Sequence, residues 1–359
     1  MIQVTKTFLP PKEEYHRIIQ EIWESNQIAN GGLLHSRLQQ ELKKLLNIPN
    51  IILTANGTLP LQISLKSLAK GGKVITTPFS YVATTSSIVW ENCTPVFVDI
   101  HPEYLTINEE KIEAVITRNT TAILVTHVFG NPCNVEAIAK IAEKHNLKVI
   151  YDAAHAFGVN YKGESIFNYG DVSTCSFHAT KLFHTGEGGA MFCKDEILNN
   201  ELFYSHNFGH RTAVDFQGLG INAKMNELQA GMGLAVLPYV SRIMEARKQV
   251  VNTYDKSLDF EKLNKLIIRE GTEWNYSYYP VIFKDEKTLL EVKSALNKEN
   301  VFPRRYFYPS LNTLNYVEYS AMKISQDISN RIMCLPLYSG LKMKEVAMIS
   351  GIINDIIDK

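Results

Sequence analysis

Thr121-Ala122-Ile123-Leu124-Val125, then Asn134-Val135-Glu136-Ala137-Ile138-Ala139-Lys140-Ile141-Ala142-Glu143-Lys144-His145, then Lys148-Val149-Ile150-Tyr151, form an uninterrupted alternation of element types. The outer two are short apolar runs of the kind a covered strand needs. The middle one sets Val135, Ile138, Ala139 and Ala142 on one helical face, and Asn134 stands where a cap belongs. The unit reads strand-helix-strand. Lys73 to Thr77, Thr94 to Val98 and Val172 to Phe177 read as further strands. Strands alternating with helices predict an α/β fold with a mostly parallel central sheet covered by helices on both faces, and its ligands lie beyond the carboxyl ends of the strands. Asp152 stands at such an end.

Working outward, 359 residues suffice for one large domain and a smaller appendage. Beyond about Tyr239 the chain becomes richer in charge. A helical stretch through Arg242 to Tyr254 is followed by strand-like Ser277 to Phe283 and amphipathic Leu289 to Leu296. The expected division is a large domain with an N-terminal arm over 1–238 and a smaller C-terminal α/β domain over 239–359. The 37 basic residues balance 37 acidic ones, so no polyanion-binding surface is implied and no nucleic-acid partner is expected. The apolar runs are too short to span a bilayer, and the N-terminus lacks a basic-then-apolar signal segment. No membrane association and a cytoplasmic location are therefore expected. Cys93, Cys133, Cys175, Cys193 and Cys334 are scattered, without a C-x-x-C pair, and read as reduced, buried small hydrophobes rather than metal ligands.

Several stretches can carry chemistry. Ser176-Phe177-His178-Ala179-Thr180-Lys181 leads into Gly186-Glu187-Gly188-Gly189. A lysine after a buried strand and beside a glycine-rich turn can be held in a partly desolvated pocket as a nucleophilic amine, although a loop lysine on the surface has the same local sequence. Asp152 leaves its strand into Ala153-Ala154-His155-Ala156; a carboxylate there can keep a pyridinium nitrogen protonated, cap a helix or hold a metal. His155 is either a hydrogen-bond donor to a ligand or a structural group. Ala55-Asn56-Gly57-Thr58 precedes a helix with Leu61, Leu65 and Leu68 on one face. Its backbone N–H groups and the Thr58 hydroxyl suit a phosphate, and ordinary capping explains the same residues. Within Pro78 to Thr85, Tyr81 can stack on an aromatic ligand or belong to the core. Gly218-Leu219-Gly220-Ile221-Asn222-Ala223 fits a dinucleotide pattern, but Arg211 to Gln217 before it does not read as a buried strand, so that reading is rejected.

Together and in order, these stretches resemble the DegT/DnrJ/EryC1/StrS sugar aminotransferases, a branch of the fold type I pyridoxal-phosphate (PLP) enzymes. The resemblance runs over nearly the whole chain. It is carried by Asn56-Gly57-Thr58, Pro78 to Thr85, His127-Val128-Phe129-Gly130-Asn131-Pro132, Asp152-Ala153-Ala154-His155, Ser176 to Lys181 with Gly186 to Gly189, and Gly220 to Ala230. It implies a Schiff base between Lys181 and pyridoxal 5'-phosphate, with pyridoxamine 5'-phosphate as the alternate form. Asp152 would pair with the pyridine nitrogen, His155 would lie near the phenolic oxygen, and Tyr81 would stack on the ring. Asn56, Gly57, Thr58 and Ser176 would hold the phosphate. Asn222 would reach the phosphate of a neighbouring subunit, which implies a homodimer with shared sites.

The run Ser176 to Thr185 is similar to the subgroup that makes dTDP-4-amino-4,6-dideoxy-D-glucose from the 4-keto sugar with L-glutamate as donor. Amination at C3, a UDP-linked sugar, and a non-catalytic PLP- or sugar-nucleotide-binding regulator are the competing readings. Arg304-Arg305-Tyr306-Phe307-Tyr308-Pro309 stands where many relatives carry His-Tyr-x-Pro-Leu-His near the nucleotide sugar. Arg305 and Tyr306 are its candidate substrate contacts. Dehydratases of the family replace the lysine by histidine, and Lys181 argues against that chemistry.

Overall fold

The computed structural model describes residues 1–359. Seven strands build the central sheet: β1 (Ile51–Thr54), β2 (Lys73–Thr76), β3 (Thr94–Phe97), β4 (Thr120–Thr126), β5 (Lys148–Asp152), β6 (Val172–Ser176) and β7 (Gly189–Phe192). They lie side by side in the order β1-β7-β6-β5-β4-β2-β3. All run parallel except β7, which is antiparallel to both β1 and β6. Two of these strands escape the sequence reading. β1 is an apolar run that fits strand and loop alike, and β7 begins at Gly189 within the glycine-rich turn, which hides its start.

Alternation along the strands decides which side each residue faces. In β4, Ile123 and Val125 enter the larger apolar core, while Ala122 and Leu124 face a second one. In β5, Val149 and Tyr151 join the first and Ile150 the second. The first core is closed by helices α1 (Lys12–Ser25), α2 (Leu33–Leu46), α5 (Val135–His145) and α7 (Glu227–Val236). α2 does this with Leu34, Leu38, Leu42 and Leu46, one per turn. The second core lies under α3 (Thr58–Leu68) and α4 (Val82–Trp90), and α6 (Glu196–Ser205) packs beside α3. Asn134 caps α5 as its sequence suggests, its Oδ1 accepting from the Ala137 N–H.

From α8 (Val240–Ser257) the chain leaves the large core. Val240 and Ile243 still belong to it, whereas Val250, Val251 and Tyr254 belong to a separate core. That core is built on a small antiparallel sheet ordered β8-β9-β10, where β8 is Asn264–Lys265, β9 Tyr279–Ile282 and β10 Ile332–Leu335. Helices α9 (Glu286–Lys298) and α11 (Met343–Ile357) cover it, with α10 (Lys323–Arg331) alongside α9. The chain does not divide at one point, because Ile2–Gln3 pairs in parallel with Val301–Phe302. All five cysteines are buried and free, and no helix is long and apolar enough to cross a membrane. Around the rejected dinucleotide pattern the backbone is irregular: His210 and Phe216 form only an isolated bridge.

Candidate active site

Parallel strands place their carboxyl ends on one edge of the sheet, and the loops beyond β1, β2, β5 and β6 enclose a cleft of about 580 Å³ there. Asn56, Gly57, Thr58, Tyr81, Asp152, His155, Ser176 and Lys181 all line it. These residues are spread over 125 positions of sequence, from 56 to 181, and the sheet order brings them together. Asp152 and Thr174 are register partners on adjacent strands, so Asp152 and the Ser176–Lys181 turn emerge side by side.

Asp152 is buried. Its Oδ2 accepts from Thr84 Oγ1 at 2.6 Å and its Oδ1 from the Ala154 N–H at 3.1 Å. The Thr84 hydroxyl is in turn 2.7 Å from Ser80 Oγ, which is 2.8 Å from Thr126 Oγ1, so a chain of hydroxyls fixes the carboxylate. Burial pushes the Asp152 carboxyl up, opposed by these two hydrogen bonds and by the charge of Lys181. A carboxylate whose main perturbation is desolvation is stabilised by any cation that enters the cleft.

Lys181 projects from the turn after β6, and its Nζ donates to the Tyr278 hydroxyl at 3.3 Å. His155 accepts at Nδ1 from the Phe129 N–H at 3.2 Å, which leaves Nε2–H as its donor. Burial, helped by the nearby charge of Lys181, holds this imidazole well below the ordinary histidine range and so neutral. Its ring lies parallel to those of Phe129 and Phe307 and meets Tyr278 edge-on.

At the opposite end of the cleft the loop after β1 approaches β6 closely. A Cβ on Gly57 would come within 2.6 Å of Ser176 Cβ, so only glycine permits this approach. Asn56 lines the cleft, but its Oδ1 already accepts from the Thr58 and Leu59 N–H groups at 2.9 and 3.0 Å. Capping therefore accounts for Asn56, and an anion here would meet the exposed Thr58 side chain and Ser176 rather than those two amides. Gly189 serves the chain's own packing, since a Cβ there would sit 2.5 Å from the Asn56 carbonyl oxygen.

Two expected contacts lie elsewhere. Arg305 turns away from the cleft: its Nη2 is 2.7 Å from Glu286 Oε1 and also donates to the Asn330 carbonyl, and its guanidinium covers the Tyr308 ring. The neighbouring Arg304 lines the cleft instead, with Tyr306 and Phe307. Successive side chains in an extended segment point to opposite sides, so placing the contact one residue off reverses its direction. Asn222 is exposed and bridges Asn207, outside the cleft of its own chain. The sequence reading also missed Thr84, Arg304 and Tyr278. Thr84 had a signal, as a hydroxyl three residues after Tyr81 in the quoted Pro78–Thr85 run; Tyr278 had none in its local sequence.

The residues present fit PLP. A buried carboxylate seeking a cation, a neighbouring lysine amine, and a glycine-opened pocket beside hydroxyls match its ring nitrogen, aldehyde and phosphate in kind. A largely parallel sheet carrying this set at its carboxyl edge marks a PLP-dependent enzyme. The chain belongs to the DegT/DnrJ/EryC1/StrS aminotransferase family, whose model matches residues 11–354. A dTDP-4-amino-4,6-dideoxy-D-glucose transaminase of Shigella dysenteriae is 38% identical to it, spanning 99% of each chain. A GDP-perosamine synthase of Escherichia coli O157:H7 is 29% identical over 99% of this chain and 98% of its own. The crystal structure of DesI in the presence of its TDP-sugar product superposes with a TM-score of 0.93 at 26% identity, covering 100% of this chain and 93% of that one. The chain is accordingly a sugar aminotransferase.

Proposed function

We propose that this enzyme transfers the amino group of L-glutamate to dTDP-4-keto-6-deoxy-D-glucose, giving dTDP-4-amino-4,6-dideoxy-D-glucose. The observation that carries the reading is Lys181 and buried Asp152 facing one cleft from adjacent strand ends. The choice of sugar is supported by the 38% identity with the Shigella dysenteriae transaminase across the full length.

When bound, PLP supplies a protonated pyridine ring that takes up the electron pair released as the amino-bearing carbon loses its proton. Asp152 would hold the protonated ring nitrogen, a cation that would offset the desolvation of its buried carboxylate. Lys181, whose free amine faces the cleft, would take the proton from the donor carbon as a base and return a proton as an acid. The same amine reverses these roles when the sugar ketone is aminated. His155 offers Nε2–H to the phenolic oxygen, and its buried neutral state keeps it from competing for the proton. Tyr81 would cover the ring, while Gly57, Thr58 and Ser176 would hold the phosphate. Asn222, exposed on its own chain, completes the phosphate grip of a second copy in a homodimer. Arg304 and Tyr306, on the far wall, face the substrates.

The test is a panel of keto-sugar nucleotides with dTDP, UDP and GDP carriers and 3- or 4-keto groups, assayed with L-glutamate and resolved by NMR of the product. An amine at C4 of the dTDP-linked 6-deoxyglucose supports the proposal. Preference for another carrier or for C3 replaces the substrate while leaving the transaminase assignment untouched.

A further inference from the structure

One segment from the C-terminal part, Trp274 to Tyr278, forms the wall opposite the strand ends, and it is anchored at nearly every residue. Trp274 Nε1 donates to the Phe129 carbonyl at 2.8 Å. Asn275, fully buried, donates through Nδ2 to the carbonyls of His155 and Phe157 at 2.8 and 2.9 Å, and its Oδ1 accepts from the Ser277 N–H. Arg247 of α8 donates to the carbonyls of Tyr276 and Ser277 at 2.9 and 2.5 Å. Arg247 is 4% exposed and no carboxylate pairs with it. Burial pulls its guanidinium down to about 10. Leaving a buried cation with carbonyl partners alone is costly. The expense is consistent with a demand for exact backbone placement just before Tyr278.

What this anchoring delivers is the Tyr278 hydroxyl, 3.3 Å from Lys181 Nζ, on a ring set edge-on to both His155 and Tyr306. We propose that Tyr278 is a positioning residue for the reacting amine, fixing where Lys181 Nζ stands in the cleft whenever that amine is free. The proposal rests on the reading of Lys181 as the group that moves the proton. A lysine side chain has many rotamers, so an unrestrained amine spends most of its time away from the reacting carbon. Proton transfer needs heavy atoms about 3 Å apart, and a 1 Å misplacement can cost roughly a hundredfold in rate. A hydroxyl held by a fixed backbone supplies the missing restraint.

The variant Tyr278→Phe removes one oxygen and keeps the ring contacts. Because Lys181 opens onto the cleft, water can replace the lost partner and the fold should survive, which thermal unfolding checks. In the PLP-loaded full chain, kcat should fall about a hundredfold while KM for both substrates stays within about twofold. Crystal structures of the cofactor-free wild type and variant give a second readout: the amine should sit at the tyrosine oxygen in the former and leave that place in the latter. A kcat within about threefold of wild type, or an unmoved amine, overturns the proposal. Should the wild type aminate no keto-sugar nucleotide, the substrate reading fails on its own, and the crystallographic comparison still decides the role of Tyr278.

Discussion

The floor of the cleft and its far wall are made from sequence of different kinds. The floor, Asp152, His155, Ser176 and Lys181, comes from two adjacent strand ends and the turns that follow them. The backbone of each is placed by its own element, while Thr84 and Tyr278 orient the Asp152 and Lys181 side chains from farther along the chain. The far wall, Tyr278, Arg304, Tyr306 and Phe307, comes from the C-terminal part and is aimed by partners distant in sequence: Arg247 under Ser277, Asn275 under His155, and Cys334 bridged to Arg304. Chemistry common to the reaction sits on the locally encoded floor. The wall, which depends on tertiary packing, is where a transaminase can vary its substrates without rebuilding its catalytic group.

The contrast predicts that floor substitutions abolish chemistry and that wall substitutions redistribute it, except at Tyr278, whose hydroxyl bonds the Lys181 amine. Lys181→Ala should give the largest effect, a loss of turnover of roughly 10⁴-fold or more, at or beyond the upper range for one acid–base group. Borohydride treatment followed by peptide mass spectrometry should find cofactor attached at residue 181 in the wild type and at no site in the variant. Attachment elsewhere with retained turnover would move the catalytic lysine. Asp152→Asn comes next. It keeps the shape and removes the charge, and losing about 4 kcal/mol of carbanion stabilisation slows turnover roughly a thousandfold. Single-turnover kinetics with glutamate should show the loss in the chemical step; a rate within a few-fold of wild type would reduce Asp152 to a structural group.

The third prediction separates neighbours on the wall. Arg304 is exposed in the cleft, and Arg305 is paired with Glu286 outside it. Arg304→Gln should raise KM about thirtyfold for an anionic substrate that covers the guanidinium, since truncating one partner of a buried hydrogen-bonded charge pair costs roughly 2 kcal/mol or more. Arg305→Gln should leave KM alone and lower the unfolding midpoint instead. The opposite pattern would restore Arg305 to the site.

How legible the molecule was follows the same division. The strand-helix-strand pattern around β4, α5 and β5 is written in apolar runs and one helical face, and Asp152 and Lys181 stand directly on it. β7 was not legible, because the three apolar residues after the glycine turn fit strand and loop alike, and its antiparallel direction is seen only in its pairing with two neighbours. Asn56 was ambiguous between cap and phosphate ligand until its side chain was seen on the Thr58 and Leu59 amides. Arg304 and Arg305 differ only in which way an extended backbone turns them. Tyr278 is the second residue of the run Ser277 to Phe283 read as strand-like and lies just before β9, which starts at Tyr279; its contact with Lys181 spans 97 positions, and nothing local encodes it.

The smallest predicted effect is a difference in acid sensitivity between the two parts. Every histidine lies at or before His210, so the C-terminal part has none. His127, by contrast, is fully buried at the end of β4, where its Nδ1 accepts from the Cys133 N–H at 3.0 Å and its ring stacks on Tyr151. Burial, reinforced by the charge of Arg269, pulls its imidazole down to about 3. Unfolded, the same group titrates near 6.5, so between these values the unfolded chain binds the extra proton and stability rises with pH. The contribution is complete above pH 6.5 and is lost as pH falls towards 3. At pH 5.5 His127 alone should have cost about 1.4 kcal/mol. Asp152, whose carboxyl burial pushes up, acts in the opposite sense: its neutral form favours the fold, and that share is lost as pH rises through its range. Comparing wild type with His127→Asn, which keeps an acceptor for the Cys133 N–H, cancels this opposing term. Urea unfolding of cofactor-free protein should therefore show a stability slope between pH 6.5 and 5 smaller in the variant by about 1 kcal/mol per pH unit. Hydrogen exchange in the wild type over the same range should rise first in β4 and β5, with the β8-β9-β10 sheet holding its protection longer. Identical slopes in the two proteins would mean that His127 is solvated or protonated in the native state, and the acid-sensitive part would have to be sought elsewhere.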